Sequence, residues 1–275
     1  MAQDKYSAVW VSNSSMGDFI NCPRLYYLRN VYKDPATGHK VNIINPSLAL
    51  GQSVHEVLEA LSLLPSEERF KESLLIAYER SWEKVRGKMG GFNNDEQEEH
   101  VKGRGRKMLE RVMENPGPLL NKAVKIKKEL PNYYLSEEEN IILCGKIDWL
   151  EYLPEDDTVH IIDFKTGKHD ESSASLQLPI YTLLVANCQK RIASRGSYWY
   201  LDRDNVPISV KLPTMEEAYQ MVLDTARKVK EARLKGEYIC PKEGCFACRP
   251  FEAIMNREAE FVGVGGYKQD LYIVN

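Results

Sequence analysis

Apolar residues recur at helical spacing through the first part of the chain and again in two later segments. Within 66–86, Leu74, Tyr78 and Trp82 are four residues apart, so this helix should carry one apolar face. The glycine- and asparagine-rich segment 87–94 indicates a loop. Helices are predicted at 12–31, 46–64, 66–86, 95–114, 172–189 and 214–235.

Runs rich in isoleucine, valine, leucine and aromatic residues follow in the second half of the chain. They predict strands at about 123–135, 141–151, 158–165, 196–202 and 206–212. This order, with one helix among the strands, is compatible with an α/β fold in which a central mixed sheet is flanked by helices. We expect one domain, 1–275, with a helical insertion at about 66–120, a core at about 121–235 and a cysteine-rich segment at 236–275.

Two carboxylates and a lysine interrupt the apolar residues of one predicted hairpin. Its turn lies at 154–157, and symmetric antiparallel pairing about the middle of that turn places Asp148 directly opposite Asp163. Facing positions have Cβ atoms roughly 4.5–5.5 Å apart, so two carboxylates there repel each other. Lys165 follows Asp163 by two residues and therefore projects from the same face of the sheet.

Two interpretations of this charged group are open. Facing carboxylates beside an ammonium suit a hard cation, with the lysine free to act on a reacting group. Asp163 and Lys165 could equally form a structural ion pair within the hairpin. The local sequence alone does not separate a catalytic site from a structural one.

Composition limits the partners of the chain. With 43% hydrophobic residues in 275, the sequence can form a sizeable core, yet no apolar run approaches the roughly 18 residues of a membrane span. We expect a soluble, intracellular protein without membrane contact. Because the net charge is −3, nucleic-acid binding would need local basic patches, for which 102–111, 122–128 and 227–235 are candidates. Such runs are also typical of solvated helix faces.

Six cysteines provide a second signal. Cys144 and Cys188 fall inside a predicted strand and helix, where a buried thiol is the ordinary outcome. Three others form the loop pattern C-x4-C-x2-C at Cys240, Cys245 and Cys248, which packing explains poorly. Together with Cys22 they supply the four thiols that a [4Fe–4S] cluster or a structural zinc ion requires.

Several short motifs resemble the PD-(D/E)XK nuclease superfamily, in particular its RecB-like branch. They occur in the order typical of that family within residues 12–181. The motifs are Ser15-x3-Phe19-x2-Cys22-Pro23-Arg24-x-Tyr26-Tyr27, Gly51-Gln52-Ser53-Val54-His55, Gly145-x2-Asp148, Asp163-Phe164-Lys165-Thr166-Gly167 and Gln177-Leu178-Pro179-Ile180-Tyr181.

The resemblance implies a restriction-endonuclease-like core and a metal site. His55 would join Asp148 and Asp163 as a ligand of Mg²⁺ or Mn²⁺, together with the main-chain carbonyl of Phe164. A lone histidine beside an apolar stripe is otherwise more often a packing residue, so this role comes from the resemblance. Lys165 would position the attacking hydroxide or stabilise the charge that develops on the phosphate.

The resemblance also gives roles to a helical pair and to the cysteines. Gln177 and Tyr181 are four residues apart on one helix face and would complete the catalytic site. In nucleases of the AddB type and of CRISPR adaptation, one cysteine precedes the core and three follow it, around an iron–sulfur cluster. This chain departs from their usual tail spacing, because Ile254 stands where the last cysteine is expected and Cys240 comes earlier instead. A [4Fe–4S] cluster, zinc or no metal are therefore all compatible with the pattern.

These residues predict a metal-dependent deoxyribonuclease. The expected activity is that of an exonuclease on single-stranded DNA or frayed DNA ends. The expected role is in CRISPR adaptation or in DNA repair and recombination. A helicase or a CRISPR integrase would be a plausible protein partner. The alternative is a catalytically silent DNA-binding or scaffold subunit with a structural metal cluster.

Overall fold

The computed structural model describes residues 7–274, and its helices mostly lie where the apolar periodicity predicts them. The predicted helix 95–114 is confirmed to the residue. The helices are α1 (Asn13–Asn21), α2 (Pro23–Tyr26), α3 (Pro46–Ala60), α4 (Leu74–Trp82), α5 (Asp95–Glu114), α6 (Gln177–Cys188), α7 (Met215–Lys235) and α8 (Arg249–Met255), with a π-helix at Tyr27–Val31 and short 3₁₀ turns between several of them.

The strands form three sheets, and the mixed α/β fold is confirmed. The strands are β1 (Val9–Val11), β2 (Lys40–Ile43), β3 (Asn132–Ser136), β4 (Ile141–Cys144), β5 (Trp149–Leu153), β6 (Thr158–Lys165), β7 (Ala193–Tyr200), β8 (Ile208–Val210), β9 (Glu260–Val264) and β10 (Gln269–Ile273). The sheet orders are β1-β4-β3, β2-β10-β9 and β5-β6-β7-β8. The four-stranded sheet is mixed, because β6 pairs antiparallel with β5 and parallel with β7.

The predicted hairpin register is confirmed. Trp149 pairs with Ile162 and Leu153 with Thr158, so the pairing is symmetric about the middle of the turn. Asp148 directly precedes the first paired residue of β5. The hairpin therefore brings Asp148 to the side of β6 on which the sequence predicts it.

One predicted strand, 141–151, is wrong as a single element. The chain leaves its first sheet after Cys144 and enters the four-stranded sheet at Trp149. At the break, a Cβ on Gly145 would lie 3.0 Å from Leu184, so glycine permits the close approach of α6. The strand predicted at 123–135 is also wrong over most of its length, since only the last part belongs to β3.

The first predicted helix, 12–31, is interrupted. Ser12 caps α1 through a reciprocal hydrogen-bonding arrangement with Ser15, and α1 ends where Cys22 adopts an extended conformation with φ −168°. Proline disfavours the helical conformation of the residue before it and lacks a donor, so Pro23 explains the break. Cys22 thereby gains an irregular backbone position between two helices.

The chain divides into two compact units. Among the described residues, unit 1 comprises 7–45, 134–143 and 220–274, and unit 2 comprises 46–133 and 144–219. The core of unit 2 packs α3, α4 and α5 around Trp82, Trp149 and Trp199, each at most 1% exposed. The core of unit 1 is smaller and includes Cys22, Cys245 and Cys248. Across the described part of the chain, the helices are too short or too polar to cross a membrane.

Candidate active site

Every metal and catalytic residue predicted from the sequence outside the cysteine group lies in unit 2. His55 is on α3, Asp148 precedes β5, and Asp163 and Lys165 lie at the end of β6. Gly51, one turn before His55, lies near the end of β6, since a Cβ at this position would be 3.4 Å from the Thr166 side chain. Gln177 and Tyr181 lie in the first turns of α6.

His55, Glu59 and Asp148 form a group whose ligand atoms lie within 4.8 Å of one another. The His55 Nδ1 atom is 3.4 Å from Asp148 and 3.9 Å from Glu59. Burial of His55 disfavours the charged imidazole, but the nearby Asp148 carboxylate outweighs it and raises the pKa of His55. A bound cation would reduce the repulsion between the neighbouring carboxylates.

Glu59 is a candidate ligand that the sequence reading missed. It follows His55 by four residues on α3, so the two side chains share one helix face. The signal was therefore available in the spacing His55-x3-Glu59. Lys146 forms an ion pair with Glu59 and partly neutralises it.

Asp163 lies at the buried centre of the site, with its side chain 1% exposed. Its Oδ1 atom accepts a hydrogen bond from Gln177, whereas its Oδ2 atom is 2.9 Å from Lys165 Nζ. That second contact is poorly aligned, and Oδ2 has no hydrogen-bond partner within residues 7–274. Burial, followed by the charge of Asp148, raises the pKa of Asp163 to about 7. Asp163 is not in the close ligand group of His55, and its predicted metal role stays a prediction.

Lys165 is held by two carboxylates. Its Nζ atom lies 2.9 Å from Asp163 and 2.7 Å from Glu171, and it donates a hydrogen bond to Gln177. Burial alone would lower the pKa of Lys165, but Asp163 and Glu171 reverse the effect and raise it. The side chain is therefore a charged ammonium. Glu171 lies in the loop after β6, and no sequence motif predicts its contact with Lys165.

Gln177 links the separate parts of the site. Its amide nitrogen donates to Asp163 and, at 3.1 Å, to the hydroxyl of Tyr181, while its amide oxygen accepts from Lys165. Burial, with the charges of Asp148 and Asp163, raises the pKa of Tyr181 well above its ordinary value, so its hydroxyl stays protonated. The structure thus brings together the helical pair and the hairpin that the sequence reading had connected.

Asp148 is oriented by the backbone of the neighbouring strand. Its Oδ2 atom accepts a hydrogen bond of 2.9 Å from the Phe164 amide N–H. The predicted role of Phe164 concerned its carbonyl, and that role stays a prediction. Since Asp148 is fixed by β6 as well as by His55, the hairpin register sets the geometry of the site.

The donor set fits a hard divalent cation. Carboxylate oxygens and an imidazole nitrogen are suitable ligands, and the buried Asp163 Oδ2 atom lacks a hydrogen bond among the described residues. Burial first, and then repulsion from Asp148, raise the pKa of Asp163, and Lys165 offsets these two effects only in part. The interpretation as a simple ion pair leaves this repulsion unexplained.

Unit 1 contains a second candidate metal site. The sulfur atoms of Cys22, Cys240, Cys245 and Cys248 lie within 4.8 Å of one another. Cys22 comes from the break between α1 and α2, and the other three come from the loop before α8. None of the six cysteines, all within the described range, forms a disulfide. We call these four residues the cysteine tetrad.

Backbone amides surround the sulfur atoms of the tetrad. The Gly244 N–H donates to Cys240 at 3.3 Å, and the Cys245 N–H donates to Cys248 at 3.3 Å. Gly244 reaches the first sulfur with φ +112°, a conformation that side chains rarely permit. Backbone hydrogen bonds from Gly244 and Lys242 lower the pKa of Cys240 to about 6. Burial raises the pKa of Cys248 to about 12. A bound cation would stabilise all four thiolates together.

Several cations of two predicted basic patches pair with carboxylates. In unit 2, Lys102 and Arg106 both pair with Glu79, at 2.6 and 2.9 Å. In unit 1, Arg227 pairs with Glu139 at 2.6 Å. These ion pairs reduce the free positive charge of the two helices.

Comparison with known proteins gives one family. A family model described as the PD-(D/E)XK nuclease superfamily matches residues 11–251. No curated protein matches the chain.

Proposed function

Since the chain belongs to the PD-(D/E)XK nuclease superfamily, we propose that it hydrolyses phosphodiester bonds in DNA with the help of Mg²⁺ or Mn²⁺. The observation that carries this proposal is the buried carboxylate of Asp163, with the partly exposed Asp148 nearby, beside the charged amine of Lys165. The family supplies the expectation of nuclease chemistry, and these side chains supply the groups for it.

His55, Asp148 and Asp163 would hold the metal, and Glu59 is a further ligand candidate. When bound, such a metal withdraws charge from the scissile phosphate and lowers the pKa of a bound water. The carboxylates of Glu59 and Asp148 lie close to the His55 imidazole, and the charge of Asp163 acts on the same imidazole. Phe164 contributes through its amide N–H, which orients Asp148.

Lys165 would act on the phosphate or on the attacking water. Its ammonium can donate hydrogen bonds to phosphate oxygens, on which negative charge increases in the transition state. Glu171 and Gln177 hold the amine in position, so that little reorganisation is needed when substrate arrives. Tyr181 in turn positions Gln177.

The proposed substrate is single-stranded DNA or a frayed end, degraded from that end. Support comes from an aromatic group in unit 1, where Tyr27 and Tyr238 have ring centroids 4.9 Å apart and Arg24 lies over Tyr27. Aromatic and guanidinium planes stack with bases without reading sequence. A role in CRISPR adaptation or in DNA repair and recombination, beside an integrase or a helicase, is proposed on the resemblance of the motifs alone.

We also propose that the cysteine tetrad binds a metal that stabilises unit 1. The resemblance implies a [4Fe–4S] cluster, and four thiolates also suit a tetrahedral zinc ion. The Cys245 and Cys248 sulfur atoms are 3.7 Å apart, close to the spacing of about 3.8 Å that Zn–S bonds of about 2.3 Å produce in a tetrahedron. Metal analysis of the purified protein separates the two.

The test of nuclease function is cleavage of end-labelled single-stranded DNA with Mg²⁺ or Mn²⁺. The wild type should shorten the strand progressively, and Lys165→Ala should lower the rate by about 10²-fold or more. Lys190→Ala is the matched control, because Lys190 is exposed and lies outside the site. Equal cleavage by the wild type and Lys165→Ala would overturn the proposed mechanism. Absence of cleavage by a folded, metal-loaded wild type would favour the silent scaffold.

A further inference from the structure

A cleft in unit 1 is lined mainly by basic and amide side chains. It has a volume of about 470 Å³ and lies between the end of the π-helix, strand β2 and the turn that joins β9 to β10. Its cationic side chains are Arg29, Lys33, His39, Lys40 and Lys268. None of the cleft-lining residues is an aspartate or a glutamate. The volume falls in the range of clefts that hold small ligands.

Three of these cations have no carboxylate partner within residues 7–274. Arg29 pairs with Asp18 at 3.1 Å, and His39 contacts the buried Asp270 at 2.8 Å. No ion pair of this kind involves the three lysines Lys33, Lys40 and Lys268 within the described range. The cleft therefore carries a positive charge that the protein does not neutralise.

Lys40 lies among other cations. Burial, followed by the charges of Arg233 and Lys33, lowers the pKa of Lys40. Like charges that crowd together without a counter-charge are costly, and an anion would relieve the cost. The contrast with the neutralised residues of α5 and α7 is clear, because those cations pair with carboxylates of the same unit.

Neutral groups around the lysines are suited to an oxyanion. Asn30 donates one amide hydrogen to Asp18 at 2.9 Å and has a second one, and the Asn42 side-chain oxygen is buried without a hydrogen-bond partner in the described part of the chain. A half-turn of that amide would exchange oxygen for nitrogen and offer a donor instead. Asp270 also accepts a hydrogen bond of 2.7 Å from Thr37, which helps to fix the carboxylate that orients His39.

We propose that this cleft binds a phosphate group of the DNA strand, as a second contact point in addition to the carboxylate site of unit 2. The inference rests on the proposed function for its choice of ligand. Phosphate oxygens accept hydrogen bonds from lysine and amide groups. Their negative charge would supply the counter-charge that the three lysines do not receive from a carboxylate. A phosphate contact holds the strand regardless of base sequence, which suits a nuclease that degrades any end.

The test is DNA binding rather than cleavage, measured in EDTA by the fluorescence anisotropy of a labelled single strand at several salt concentrations. Lys33→Gln/Lys268→Gln should weaken binding at low salt by roughly tenfold and reduce the slope of log K against log salt by about 0.7, the contribution of one phosphate contact on a single strand. Lys40→Gln should act in the same direction. Lys190→Gln/Lys211→Gln is the control, because both lysines are exposed and outside the cleft.

The outcomes separate this proposal from the nuclease proposal. Weaker binding by the cleft variant but not by the control supports the cleft, even if the wild type cleaves nothing. Equal binding by both variants overturns it. Inorganic phosphate and pyrophosphate, added as competitors, test the other source of the same chemistry. If the cleft variant loses pyrophosphate binding but keeps full DNA affinity, the cleft serves a free phosphate compound and the proposal is wrong. Thermal melts establish that each variant is folded.

Discussion

Asp163 is a buried carboxylate whose charge the protein only partly compensates. Its carboxylate is buried, faces the charge of Asp148, and has one oxygen without a hydrogen bond among the described residues. Lys165 offsets only part of this cost, because it is shared with Glu171. In a protein that binds no cation here, such an arrangement would be a defect. In a metal site, a bound cation would offset this cost and would therefore bind more tightly.

Replacing this carboxylate should stabilise the metal-free protein. The pKa of Asp163 is raised to about 7 in the folded state, above its ordinary value of 3.8. Ionisation therefore favours the unfolded chain, by an amount that grows between about pH 4 and pH 7 and is constant above that. We expect Asp163→Asn to raise the free energy of unfolding in EDTA by about 1–3 kcal/mol at pH 8.

Denaturant unfolding at several pH values checks this expectation. The advantage of Asp163→Asn should shrink as the pH falls from 7 towards 4, because ionisation of the carboxyl then stabilises the unfolded wild-type chain less and less. Asp156→Asn, in the exposed hairpin turn, should change little at any pH. A destabilised Asp163→Asn protein at pH 8 would mean that the Lys165 ion pair outweighs the repulsion.

Residue types alone predicted part of this site. Asp148, Asp163 and Lys165 stood out because charges interrupt apolar strands, and the family motifs added His55. Glu171 could not be found in this way, because it reaches Lys165 from a loop whose path the sequence does not specify. The phosphate cleft was hidden for a similar reason, since its lysines are ordinary surface residues until the fold places them side by side.

Strand β6 pairs with β5 and β7 and carries residues on both faces of the sheet in unit 2. One face carries Asp163 and Lys165, whereas His160 contacts Glu151 on β5 and Ser197 on β7, both at 2.8 Å. Asn121 donates a further hydrogen bond of 2.6 Å to Glu151. A polar chain thus crosses three strands of the sheet that carries the site.

Removing the central member of this chain should destabilise the sheet. His160→Ala leaves the buried Glu151 without its strongest partner, and we expect a loss of about 2–4 kcal/mol in the free energy of unfolding. Burial opposes ionisation of Glu151, but the hydrogen bonds from His160 and Asn121 prevail and lower its pKa. The double variant Glu151→Gln/His160→Ala should therefore be less destabilised than the sum of the single variants. Additive effects in urea unfolding would contradict a direct coupling.

The elements also show what sequence patterns can and cannot reveal. The hairpin of β5 and β6 was predictable in register, because its turn and its strands are adjacent in the chain. Strands β1, β2 and β10 were missed, because they are short and pair with distant segments, as β2 does with β10. The break at Cys22 was readable from Pro23 but was overlooked in a run that is otherwise helical.

At the scale of the whole molecule, the chain builds unit 1 from segments that unit 2 separates along the sequence. The cysteine tetrad joins the first and the last of these segments, and Arg24 and Glu252 form an ion pair of 3.3 Å between the same parts. Crosslinks between distant segments restrict the unfolded chain most strongly. The two units also carry separate chemistry, with thiolates and the basic cleft in one and carboxylates in the other.

Loss of one tetrad thiol should release the metal and weaken unit 1. We expect Cys240→Ser to lose bound metal and to lower the melting temperature by roughly 5–10 °C, because metal affinity contributes directly to folding. Cys188→Ser, on α6 and outside the tetrad, is the control and should keep its metal. Iron and sulfide analysis with the visible spectrum distinguishes a cluster from zinc. Full metal content in Cys240→Ser would exclude that residue as a ligand.

We propose that the carboxylates of unit 2 bind a catalytic divalent metal. The most direct test titrates Mn²⁺ into metal-depleted wild type, Asp148→Asn and Glu155→Gln, and measures Mn²⁺ binding and DNA cleavage in the same samples. Wild type and the exposed turn variant Glu155→Gln should bind Mn²⁺ and gain activity in parallel, whereas Asp148→Asn should lose both by at least about tenfold. Wild-type binding and cleavage by Asp148→Asn would contradict the account.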